Sequence, residues 1–194
     1  MKEIAELHQQ IDAMNGALAR ASAKNGYPVS CLGKHCCACC YEPVYCSSAE
    51  VQHLVEALTP EQRAAVTERL KLVLAKARAS GILDLEMPPV MQYLALKLPC
   101  PLLEFGVCIA YDRRPVGCRT HLAVGPSEWC DDERRAHQKY PMAKEHSLAS
   151  GHAIIEAHLK LGNIIHNDNL FALLENELLG EYHETASAEQ VQLT

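Results

Sequence analysis

Six cysteines fall within the sixteen residues from Cys31 to Cys46, and four of them stand as the adjacent pairs Cys36-Cys37 and Cys39-Cys40. Adjacent cysteines suit ordinary disulfides poorly, because a bridge needs its two Cα atoms well separated and correctly aimed. They suit a tight turn whose thiolates converge on a metal. Cys36 and Cys39 form one Cys-x-x-Cys half-site, and Cys37 and Cys40 form another. A second group, Cys100, Cys108, Cys118 and Cys130, brings the total to ten. An all-thiolate set is too soft for Mg²⁺ or Ca²⁺ and selects zinc, iron–sulfur or Cu(I). Structural zinc and iron–sulfur clusters both take four ligands of this kind. Isolated cysteines also serve as small apolar core residues, and Cys46, between Tyr45 and Ser47, fits either role.

The rest of the composition narrows the classes. The opening residues, MKEIAELHQQIDAM, are charged and amphipathic, with neither the apolar core nor the cleavage site of a secretory signal. No stretch of about 18 apolar residues predicts a membrane span. The cytoplasm is the expected compartment, where thiols are reduced and clustered cysteines read as metal ligands. A net charge of −6 argues against nucleic acid or an anionic membrane as a partner, since those want a basic face, although Arg113, Arg114 and Arg119 form a local basic cluster. The expected partners are therefore a metal ion or cluster, and a protein partner through the terminal helices. With two Phe and one Trp, the core must be built mainly from Leu, Ile, Val and Ala.

Periodicity predicts a mainly α protein, a small helical domain whose irregular cysteine-rich loops are organised around bound metal. Ile4, Leu7, Ile11, Met14 and Leu18 put one apolar stripe on a helix over 2–24, followed by Asn25-Gly26-Tyr27-Pro28. Residues 29–46 read as loop. Ser47-Ser48-Ala49-Glu50 is a capping box that opens a helix burying Val51, Leu54, Val55 and Leu58. Thr59-Pro60 starts another, which runs to about Ser80-Gly81 and buries Val66, Leu70, Val73, Leu74 and Ala77. Val90 to Leu98 forms a short helix, and Val107 to Tyr111 an extended stretch. Further helices are predicted over 131–139, 143–162 and 167–180, the last carrying Leu170, Leu173, Leu174 and Leu178. The chain divides into an N-terminal amphipathic helix (1–26), a cysteine-cluster domain (27–141), a C-terminal helical extension (142–183) and a polar tail (184–194).

The second cysteine segment, CPLLEFGVCIAYDRRPVGCR from Cys100 to Arg119, closely resembles the YkgJ-type cysteine-cluster family, the CxxCxxCC domain. Its Cys-Pro step, its Gly106-Val107-Cys108-Ile109 step, Arg114-Pro115 and Cys118-Arg119 carry the likeness. Cys130 ahead of a charged run matches the family's final cysteine. The resemblance covers roughly residues 31–141. In the first segment, Cys36, Cys39 and Cys40 match the last three family positions, while Gly33 stands where the family has its first cysteine. Either Cys31 or Cys37 then supplies the remaining ligand. The candidate metal ligands are Cys31, Cys36, Cys37, Cys39, Cys40, Cys100, Cys108, Cys118 and Cys130. The resemblance implies zinc or iron chelation, with an iron–sulfur oxidoreductase or transferase as the enzymatic possibility. A zinc-stabilised interaction module and a metal-handling protein are the alternatives.

His35 and His121 border the two groups, where either can complete a site or donate to a thiolate, although loop histidines are more often solvated. Arg113, Arg114 and Arg119 sit among the second-group thiols, and a nearby cation offsets thiolate charge. Pro115 is expected to hold the turn that brings Cys108 and Cys118 together.

Overall fold

The computed structural model describes residues 2–26, 29, 37–82, 90–122 and 167–180. The expected helices over 131–139 and 143–162 lie outside these residues. The described chain is mainly helical. Its elements run α1 (Lys2–Lys24), a 3₁₀ turn (Ala38–Tyr41), β1 (Tyr45–Ser47), α2 (Ser48–Glu56), α3 (Pro60–Ala79), α4 (Val90–Ala95), β2 (Leu103–Glu104), β3 (Val107–Cys108), a 3₁₀ turn (Tyr111–Arg113), α5 (Val116–Thr120), β4 (Asn167–Asn169) and α6 (Leu170–Leu179). No helix among the described residues is long and apolar enough to cross a membrane.

Local chemistry starts these helices where the sequence indicates. The Ser47 hydroxyl accepts from the Glu50 amide, and the Glu50 carboxylate accepts from the Ser47 amide at 2.9 Å, closing the capping box of α2. Thr59 and Gln62 form the same reciprocal pair on α3, with Pro60 in its first turn. One core follows from the apolar faces. Val51, Leu54 and Val55 of α2, Val66, Leu70, Val73, Leu74 and Ala77 of α3, and Leu170, Leu173 and Leu174 of α6 are buried together. A fully buried Leu or Val of this kind contributes roughly 1.5–3 kcal/mol of transfer free energy.

Three expectations need correction. The stripe expected on α1 is displaced: Ile4, His8, Ile11 and Asn15 are buried, and Met14 is exposed. The spacing remains helical, but the inward positions include two polar residues because α1 docks on a polar surface. The Asn15 side-chain amide donates to the Arg119 carbonyl at 2.9 Å, and Arg119 pairs with Asp12. The last helix begins at Leu170, not 167. Asn167 to Asn169 instead pair antiparallel with Ser47 to Tyr45, and Asn169 caps α6 by accepting from the Phe171 amide at 2.9 Å. The stretch from Val107 is extended for only two residues before the chain turns into the second 3₁₀ segment. The short β2–β3 hairpin aligns Leu103 with Cys108. Its turn places Phe105 (φ 48°) and Gly106 (φ 77°) in the left-handed region, as a two-residue hairpin loop requires.

Candidate metal centre

The two cysteine segments meet directly. The Cys100 amide donates to the Cys40 carbonyl at 2.7 Å. In the first segment, the turn Ala38–Tyr41 is closed by the Cys40 amide on the Cys37 carbonyl (2.9 Å) and the Glu42 amide on the Cys39 carbonyl (3.1 Å). This turn presents Cys39 and Cys40 on one side. In the second, the hairpin folds Cys108 back beside Cys100, with the Ile109 amide on the Leu102 carbonyl at 3.0 Å. Cys118 follows on α5. That helix begins after Pro115 and is pinned to α2 by the Val116 amide, which donates to the Glu50 carboxylate at 2.7 Å.

Cys39, Cys40, Cys100, Cys108 and Cys118 line a single cavity of about 60 Å³. Its remaining wall is mostly apolar: Val44, Leu102, Pro115, Leu122, Leu170 and Phe171. The Leu170 amide donates to the Val44 carbonyl at 2.8 Å, which sets the first turn of α6 against the cavity. Glu42 and Arg114 supply the charged lining and His121 a further polar group, with His121 Nε2 3.4 Å from Glu42 Oε2.

Sequence and structure agree unevenly on the nine candidate ligands. Five converge on the cavity. Cys37 is half-buried and does not line it; its carbonyl instead closes the turn that presents Cys39 and Cys40. Cys31, Cys36 and Cys130 lie outside the described residues, as does His35. Cys46 is a buried core residue. Glu42 and the wall residues Val44, Leu122, Leu170 and Phe171 carry no motif, and only the fold reveals them.

The arginines divide. Arg114 lines the cavity and stacks 3.8 Å over the Tyr111 ring. Arg119 is buried; its guanidinium donates to the carbonyls of Arg114 (2.9 Å) and Asp112 (2.6 Å) and pairs with Asp12 of α1. That clamp holds the turn between Cys108 and Cys118. Arg113 points elsewhere, 2.7 Å from His53 Nε2.

The electrostatics keep the thiols of Cys40, Cys100, Cys108 and Cys118 protonated. Cys40 is pushed far up by its hydrogen bond with Cys39, then by burial and the neighbouring thiols. Cys100 is pushed up to about 12 by burial and by Cys108. Burial also raises Cys108 and raises Cys118 well above the ordinary range, although Arg114 partly offsets it at Cys108. Five thiols in one apolar cavity cannot all ionise unless a cation joins them. Without one, the raised thiols of Cys40, Cys100, Cys108 and Cys118 are poor nucleophiles. The donor set therefore suits a thiophilic ion or cluster. Among the described residues, no three His, Cys, Asp or Glu side chains are arranged to hold a metal ion.

Compared with family models, curated proteins and solved structures, the chain finds no match.

Proposed function

We propose that this chain is a cysteine-thiolate metal-binding protein of the YkgJ type, in which both cysteine segments share one centre. The observation that carries the reading is the convergence of Cys39, Cys40, Cys100, Cys108 and Cys118 on one cavity. Core packing alone gives no reason to gather five thiols from three separate stretches of chain. The motif residues from Cys100 to Arg119 support an iron–sulfur cluster through their resemblance to the family. When bound, such a cluster supplies electron transfer, whereas zinc supplies a structural crosslink.

The chain's own residues have defined parts in this reading. The Cys40–Cys100 backbone bond fixes the two halves to each other. Arg114 and Arg119 offset the negative charge that thiolates acquire when they lose their protons. The apolar wall of Leu102, Leu122, Leu170 and Phe171 shields the centre from water. Because ligands so distant in sequence meet only in the folded chain, metal binding contributes directly to folding free energy. A reducing, cytoplasmic setting fits unpaired thiols of this density.

The test is purification without oxygen, followed by a visible spectrum and a count of metal and inorganic sulfide per chain. A brown protein with sulfide identifies the cluster. A colourless protein holding zinc identifies the zinc-stabilised form. A chain that retains neither after anaerobic purification and reconstitution overturns the reading.

A further inference from the structure

Resting on that reading, we propose that the shared centre is not all-sulfur: His121, held by Glu42, is its nitrogen ligand and works with Cys118 as a Cys-x-x-His half-site. Cys118 lies on α5 and His121 caps that helix three residues on, where the backbone has left the helical region. Both line the cavity. Two-residue spacing between ligands is the usual half-site of tetrahedral centres, and here it joins a thiol to an imidazole.

The Glu42 carboxylate gives the second, independent sign. Histidines that ligate metals almost always engage a carboxylate, carbonyl or water through the other ring nitrogen, which fixes ring orientation and raises ligand basicity. Glu42 stands where such a partner would, with its Oε2 3.4 Å from His121 Nε2, and it lines the cavity just beyond Cys40. The pair therefore bridges the two cysteine segments, and Nδ1 is the ring atom left for the metal.

Charge favours the same assignment. Four thiolates around a divalent ion leave two negative charges in a cavity walled mainly by Leu, Val, Pro and Phe, and burying net charge is costly. Replacing one thiolate with a neutral imidazole removes one of those charges. Arg114, which also lines the cavity, then faces a smaller excess of negative charge from the thiolates and Glu42.

Zinc-edge X-ray absorption on the full chain loaded with zinc tests this, alongside cobalt(II) competition measurements on the wild type, His121→Gln and Glu42→Gln. The expected wild-type shell is three sulfurs and one nitrogen. His121→Gln loses the imidazole scattering and binds cobalt(II) on the order of 100-fold more weakly, while Glu42→Gln keeps the nitrogen and weakens binding roughly 10-fold. Metal-free melting curves that match the wild type confirm that the variants fold. An all-sulfur wild-type shell, or equal cobalt affinity in His121→Gln, overturns the assignment while leaving thiolate binding intact. A wild-type chain that binds neither metal overturns the proposed function and this inference with it.

Discussion

His53 shows how far a single residue can be understood from its surroundings. It is buried on α2, its ring 5.6 Å from that of His8 on α1, with the guanidinium of Arg113, from the second 3₁₀ turn, at 2.7 Å from Nε2. Burial first, then the Arg113 charge, lowers its pKa from 6.5 to about 4. Between about pH 4 and 6.5 the unfolded chain binds this proton and the folded chain does not. Stability is therefore fully present above pH 6.5 and falls as pH drops toward 4, with a slope approaching about 1.4 kcal/mol per pH unit. Glu50 reinforces the trend only at lower pH. Burial would raise its pKa, but His8 at 4.0 Å, the Ser47 amide and hydroxyl, and the Val116 amide together hold it below the usual range. Urea unfolding across pH 4–6.5 should show that slope in the wild type and a flatter one in His53→Gln; equal slopes would refute the assignment. None of this was legible in the sequence, where His8 and His53 carry no motif. The thiols were legible one by one, because softness and spacing are written in residue types. Their pairing was not.

Among elements, the helices that begin with a side-chain cap were readable to the residue. Ser47–Glu50 and Thr59–Gln62 declare their own boundaries, since the bonds involved are local. The start of α6 was not readable, because it is set by the pairing of Asn167 to Asn169 with a strand more than a hundred positions earlier. The inward face of α1 was misread for a related reason. Apolar content points to Leu7 and Met14, but the surface it meets offers Arg119, Arg114 and Glu50, which select His8, Asp12 and Asn15. Packing of α5 against β1 is the tightest such contact. A Cβ at Gly117 would stand 2.9 Å from the Tyr45 carbonyl oxygen and 3.4 Å from a Val44 methyl. Backbone cannot give way as a side chain does, so Gly117→Ala must shift α5 and carry Cys118 with it. The expected cost is roughly 1–3 kcal/mol in the denaturant midpoint, with weaker cobalt(II) binding. An unchanged midpoint and affinity would show that α5 is not held as described.

At the scale of the whole molecule, two cysteine-bearing segments that the sequence leaves far apart are joined through the Cys100 amide and the Cys40 carbonyl. The helical core of α2, α3 and α6 supports that junction, and α6 closes the cavity with Leu170 and Phe171. The sequence held the ligand types, the two groups and the wall residues Leu102 and Pro115 inside the motif segment, but not Val44, Leu122, Leu170 and Phe171, which come from stretches with no motif. If both segments feed one centre, disabling either should empty it completely. Metal bound per chain should be measured in the wild type, in a Cys39→Ser/Cys40→Ser variant and in a Cys100→Ser/Cys108→Ser variant, each reconstituted anaerobically. A shared centre predicts that both variants fall together to near zero from the wild-type value, whichever segment is altered. Retention of metal by either variant, or partial losses that sum to the wild-type content, would contradict a shared centre.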